Sequence, residues 1–160
     1  MKKNIHLSNL IIYFFCCLSL LLSFYFNEDG SYLPFSMDFK DTWPYVLKLK
    51  ESFLSDPYPY TVHYPLHYYL LSRLDLILND PLFVRLVICF ISMLVPYFFY
   101  VALREKYRHK NINVLFLISL SIFFIPAFRY SSVWANDRIT TDIFILFGCY
   151  FFFKYQFSRI

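Results

Sequence analysis

Four long stretches of the chain are almost free of charge, and polar clusters separate them. Leu7 to Phe26 carries no charged residue over about 20 positions, the length of a helix that crosses a hydrocarbon core. Leu86 to Leu103 is a second uncharged run, entered through Arg85, whose long side chain can snorkel to the membrane boundary. Ile112 to Phe128 is a third, and Ile139 to Phe153, with Asp142 as its one acid, is a fourth. Pro96 and Pro126 fall inside spans two and three, where bilayer helices tolerate proline better than soluble ones do. The pattern predicts an all-α integral membrane fold: a single membrane domain over 1–160, with spans near 7–26, 83–103, 112–128 and 139–153.

The segment 27–82 interrupts this rhythm, and connections of that length are uncommon unless they carry function. Thr42 is placed to cap a helix with Pro44 in its first turn, where a missing N–H costs nothing. Trp43, Val46, Leu47, Phe53 and Leu54 then share one face, with Lys48 and Glu51 off it. Lys50 interrupts that face and would have to snorkel. A second helix starts at Pro65 with Leu66, Tyr69, Leu70, Leu74 and Ile77 as its apolar stripe, and ends at the turn signal Asn79-Asp80-Pro81. Two juxtamembrane amphipathic helices are therefore expected, near 43–54 and 65–78, lying in the membrane interface.

Composition agrees with this division. The chain is 59% hydrophobic and 16% charged, too little polar surface for a soluble domain, and 24% aromatic, which excludes disorder. Its two glycines rule out a Gly-rich phosphate cradle. Cys16, Cys17, Cys89 and Cys149 all sit in apolar runs and behave as small hydrophobes, with no spacing that resembles a zinc site. The formal charge of +4 is clustered beside the spans, so it reports orientation and no nucleic-acid partner. Lys2 and Lys3 precede span one, Arg104, Lys106, Arg108 and Lys110 crowd the connection after span two, and Lys154 and Arg159 follow span four. The positive-inside rule puts these regions, and both termini, in the cytoplasm. The segment from Asn27 to Pro81, with eight acids against four Lys or Arg, falls outside, as does the 129–138 loop.

Two acidic positions invite chemistry. Asp41, with Asp38 three residues before it, opens the first interfacial helix, where the dipole favours the charged form that a general base requires; residue type alone favours the plainer reading, an N-terminal helix acid or a solvated loop charge. Asp142 lies in the first turn or so of an apolar span, where an acid faces a polar cavity or is held at the boundary by Arg138 at i−4. His63 and His67 are spaced i, i+4 without a third ligand, and Arg129 and Arg138 can grip a phosphate or anchor the span ends.

Several of these residues together resemble a known pattern. Asp41-Thr-Trp-Pro-Tyr45, Asp56-Pro-Tyr-Pro-Tyr60, His63-Tyr-Pro-Leu-His-Tyr-Tyr-Leu-Leu71, Leu82-Phe-Val-Arg-Leu86 and Arg138-Ile-Thr-Thr-Asp142 follow in order. The set is similar to the front portion of GT-C membrane glycosyltransferases, the group of protein mannosyltransferases and aminoarabinose transferases. Tyr64 stands where that family has a first proline, and His67 where many members have an aromatic.

The resemblance implies a membrane glycosyltransferase, or a fragment of one. It would transfer a sugar from a polyprenyl-phosphate donor to a cell-envelope lipid, glycan or protein. It implies Asp41 as the catalytic base or acceptor-orienting carboxylate and Asp142 as a second catalytic carboxylate across one outer cavity, with Tyr45, His63 and Arg138 as substrate-binding residues; Asp38, beside Asp41, and Arg129, across the outer loop from Arg138, join the substrate-binding candidates. The setting would be a bacterial inner membrane with the active loop on the outer side, and a second chain could supply further spans. No cofactor or metal site is evident; a divalent cation stays open because members of the family differ. The alternative is a non-catalytic small multi-pass protein: a subunit, an assembly factor or a truncated gene product.

Overall fold

The computed structural model describes residues 5–26, 37–51 and 65–158, and these are helical throughout apart from short turns. The order is α1 (Leu7–Tyr25), α2 (Met37–Glu51), α3 (Pro65–Leu78), α4 (Pro81–Met93), α5 (Val95–Lys106) and α6 (Ile112–Leu120). A 3-10 turn (Ser121–Phe124), α7 (Pro126–Trp134) and α8 (Asp137–Ser158) follow.

Local chemistry sets these boundaries. The Asp80 carboxylate accepts from the Leu82 amide at 2.8 Å with Pro81 at the first helical position, so α4 starts at once. Asn111 caps α6 through the Asn113 amide, and Asn136 caps α8 through the Arg138 amide. Pro96 has no N–H, and the chain turns at Leu94 between α4 and α5, yet Pro81–Lys106 continues as one 26-residue segment. Pro126 acts more strongly: the axis bends by 68° between Ile112–Phe124 and Pro126–Trp134.

The four expected spans are therefore corrected. Among the described residues, Leu7–Tyr25 and Pro81–Lys106 are long and apolar enough to cross a membrane, and the bent pair 112–134 makes a third crossing if it counts as one. The expected third span, 112–128, breaks at Pro126 instead of running through it. The expected fourth, 139–153, lies inside the 22-residue α8, where Asp137, Arg138, Asp142 and Lys154 dilute the apolar run. The expected 129–138 loop is mostly helix; only Ala135 and Asn136 separate α7 from α8.

The first interfacial helix also starts earlier than its cap signal suggests. It runs from Met37 to Glu51, so Pro44 sits inside it and not in the first turn. Its buried face is Trp43, Val46 and Leu49, while Leu47 is exposed; Phe53 and Leu54 lie outside the described residues. The second helix has the expected bounds, 65–78, but the opposite face. Leu66, Leu70 and Ile77 (80% exposed) point outward, and His67, Tyr68, Leu71 and Asp75 point in. Beside hydrocarbon this is the favourable arrangement, because polar groups then have to find partners inside the protein.

Lys50 supplies one such partner. Its ammonium does not snorkel: it donates to the Asp75 carboxylate at 2.8 Å and to the Asn79 side chain at 3.3 Å, pinning α2 on α3. The Asp75 side chain is only 5% exposed, so Lys50→Met alone leaves a buried carboxylate without its cation and should cost about 2 kcal/mol. The double variant Lys50→Met, Asp75→Leu should recover most of that loss in thermal unfolding of the detergent-solubilised protein.

Packing sorts the charges to two ends. At one end, the His6 amide donates to Asn113 Oδ1 at 2.9 Å, the Asn9 amide side chain to the same oxygen at 3.2 Å, and Lys106 Nζ stands 5.4 Å over the Phe153 ring. The start of α1, the α5–α6 connection and the end of α8 thus gather with Arg104, Lys106, Arg108, Lys110 and Lys154. Between the ends the core is aromatic: Tyr13 meets Phe116 and Phe123 at 6.1 Å each, and Tyr100 meets Phe116 edge-on at 5.3 Å. The other end carries Arg85, His67 and Asp75, all buried.

Candidate functional site

The short α7 is held at both ends, by the Pro126 bend and by a tight turn into α8. It closes at Ala135 in the left-handed conformation, φ 57° and ψ 44°, which costs a non-glycine residue about 1–2 kcal/mol. Two buried side chains from other helices hold the corner. Arg85, fully buried on α4, donates to the Val133 carbonyl from Nη2 at 2.9 Å and from Nε at 3.3 Å, and its guanidinium lies 5.3 Å over the Phe24 ring. His67, 2% exposed on α3, contacts the Ala135 carbonyl through Nε2 at 2.7 Å and Thr140 Oγ1 through Nδ1 at 2.9 Å. A carbonyl can only accept, so Nε2 carries the hydrogen; in the neutral ring Nδ1 then accepts from the Thr140 hydroxyl.

Both contacts meet the C-terminal carbonyls of α7, where a helix leaves acceptors unsatisfied and a cation is favoured. The Asn136 amide donates to Ser131 O at 3.0 Å and completes the turn. Arg129, one helical turn earlier, donates to Ser19 Oγ at 3.3 Å and to Ser23 Oγ, tying α7 to the last turns of α1. α7 is thereby fixed against α1, α3 and α4 by three basic side chains.

The corner aims the start of α8. Arg138 and Asp142, four residues apart, share a face and line a cavity of about 390 Å³. Its other walls are apolar except for Ser121: Phe99 from α5, Ile125 and Phe128 around the Pro126 bend, and Leu146 one turn further along α8. A cation and a carboxylate thus stand side by side in a largely hydrophobic recess. Asp142 is partly buried there and Arg138 is exposed, so the cation is accessible to a ligand while its neighbouring carboxylate is half-shielded.

The expected site residues separate into groups. Arg138 and Asp142 come together in this cavity. Arg129 does not join them; it serves the α1–α7 contact. Tyr45 packs 6.5 Å from Tyr68, ring to ring, at the α2–α3 interface. Asp38 and Asp41 fall in the first two turns of α2, as expected for acids at a helix N-terminus, but their side chains lie outside the described part of the chain. His63 lies outside the described residues altogether.

Arg85 and His67 are the residues that sequence reasoning undervalued. Arg85 was expected to snorkel, yet it is wholly enclosed; the available signal was its place between Val84 and Leu86 at the first turns of an apolar helix, where an ionisable group requires a partner. His67 was masked by its i, i+4 spacing from His63, which suggested a weak metal pair; its actual partners lie 68 and 73 residues away in sequence.

Comparison of the chain with protein-family models, with curated proteins and with solved structures found no match.

Proposed function

We propose that the protein is a membrane glycosyltransferase that takes a sugar from a polyprenyl-phosphate donor at the outer face of the bilayer. The observation that supports this reading is the Arg138–Asp142 pair in its apolar recess under the Pro126 bend. Both residues belong to the motif that resembles the GT-C pattern. The basic end of the helices, with Arg104 to Lys110, faces the cytoplasm, and the α7 corner faces out.

In the proposed reaction an acceptor hydroxyl oxygen attacks the anomeric carbon of the donor sugar. The bond from that carbon to the phosphate oxygen breaks, and polyprenyl phosphate leaves with the electron pair. Arg138 neutralises the charge gathering on the leaving phosphate. Asp142 beside it accepts hydrogen bonds from the sugar hydroxyls. The acceptor proton passes to a carboxylate on the opposite face of the sugar, a role assigned to Asp41, since a single displacement separates base from leaving group. The outer face of α3, with Leu66, Leu70 and Ile77 exposed, would let a lipid-linked donor approach from the bilayer.

The test is transfer by the full chain in proteoliposomes supplied with a labelled polyprenyl-phosphate sugar. Transfer above empty vesicles that Arg138→Gln lowers supports the reading, and a folded wild-type protein that transfers nothing contradicts it. The second reading, a non-catalytic membrane subunit, is favoured by one observation: Lys50, His67, Arg85 and Arg129 are all engaged in contacts between helices. It would hold if transfer were absent with the fold intact.

A further inference from the structure

The face of α8 opposite Arg138 and Asp142 borders a second recess. It has a volume of about 320 Å³ and runs between α3, α4 and α8, with Leu70, Leu74, Ile88, Ile91, Ile139 and Ile143 among its walls. Thr140 contributes one hydroxyl, already engaged by His67. The single charged side chain on its lining is Arg73. That guanidinium is exposed and rests 4.7 Å from the centre of the Tyr69 ring, which holds it at the rim. No carboxylate among the described residues pairs with it, since the nearby Asp75 is taken by Lys50.

The surroundings of the recess are apolar as well. Leu66 and Ile77 on α3, Phe90 on α4 and Phe144 on α8 are all exposed. The recess thus opens toward hydrocarbon, with one unmatched positive charge at its edge. Its aliphatic lining suits an alkyl chain, and a planar guanidinium is the side chain best matched to a phosphate.

We propose that this recess is a binding site for an anionic glycerophospholipid, with one acyl chain between α3, α4 and α8 and the phosphate on Arg73. Phospholipid is the medium in which such an opening lies, so even a modest preference fills it by mass action. The bound lipid would brace α3 against α8 on the side away from the His67 contact. The site does not depend on the transferase reading, because it uses neither Arg138 nor Asp142.

The test uses the purified full chain in detergent with two photoreactive probes, each carrying a diazirine on the acyl chain: phosphatidylglycerol, and diacylglycerol with the same chains and no phosphate. The phosphatidylglycerol probe is expected to label α3, α4 and α8 peptides, and diacylglycerol to label them roughly tenfold less, the loss of one charge-assisted contact. Arg73→Gln, a change at an exposed position, should reduce phosphatidylglycerol labelling to the diacylglycerol level, and Ile143→Trp should block it by filling the recess. The proposal is overturned if both probes label alike, or if Arg73→Gln labels as wild type does. It is also overturned if adducts are as dense on the exposed face of α1, or if polyprenyl phosphate displaces the label while unlabelled phosphatidylglycerol does not.

Discussion

Arg85→Ala is expected to destabilise the protein by about 3–5 kcal/mol, the range for removing one partner from a buried polar contact and leaving a cavity. The loss has three sources. The Val133 carbonyl at the end of α7 loses a bidentate charged donor in a place water does not reach. The Phe24 ring loses the cation above it. The space of a fully enclosed side chain opens between α1, α4 and α7. Arg85→Lys keeps the charge but not the planar fork that reaches one oxygen from two nitrogens, so it should fall between the two. Thermal unfolding in detergent, followed by circular dichroism, reads the order wild type, Lys, Ala. Equal stability of Ala and wild type would remove the corner from the account.

Asp41→Asn carries the largest expected effect on activity. If Asp41 receives the acceptor proton, its amide cannot, and turnover should fall by about 10²- to 10⁴-fold, the usual contribution of a general base. The Michaelis constant for the donor should change little, because the proposed site holds the donor phosphate elsewhere, at Arg138. Asp142→Asn, which removes an acceptor for sugar hydroxyls but leaves the base, should raise the donor Michaelis constant and lower turnover less. The reverse pattern, with Asp142→Asn the more damaging in turnover, would exchange the two roles. Equal rates for Asp41→Asn and wild type would end the assignment.

Much of the helical framework was legible in the chain. The uncharged runs located α1 and the α4–α5 segment to within a few residues, and the Pro65 start with the Asn79-Asp80-Pro81 stop gave the bounds of α3. What could not be read was which way α3 faces. A hydrophobic stripe marks the core side of a helix only when the other side meets water. Where the other side meets hydrocarbon the inference inverts, and on α3 the stripe that carries His67 and Asp75 is the one buried. The same reason hid Arg85 and Lys50: both were assigned to the boundary because a lone cation in an apolar run usually escapes outward. Their partners, a carbonyl 48 residues away and an acid 25 residues away, come from tertiary packing that no local pattern encodes.

The candidate site was legible to a similar degree. Asp142 stood out as an acid in an apolar run and Arg138 as a cation flanking the outer loop, and both line one cavity. The Pro126 bend that forms its wall was foreseen only as a tolerated proline, not as a 68° turn. Without that turn, residues 129–134 would extend away from α1 and the Arg129 contact with Ser19 and Ser23 could not form.

The proposed function rests on one proposed arrangement: the α7–α8 corner on the outer side of the membrane and the α5–α6 connection on the inner side. Cysteine labelling in intact cells measures it directly, with Asn136→Cys at the corner and His109→Cys, which is exposed between α5 and α6. A membrane-impermeant maleimide added outside should label Asn136→Cys at once and His109→Cys only after the membrane is opened. Labelling of both from the same side, or of His109→Cys first, would contradict the arrangement and the outer-face site built on it.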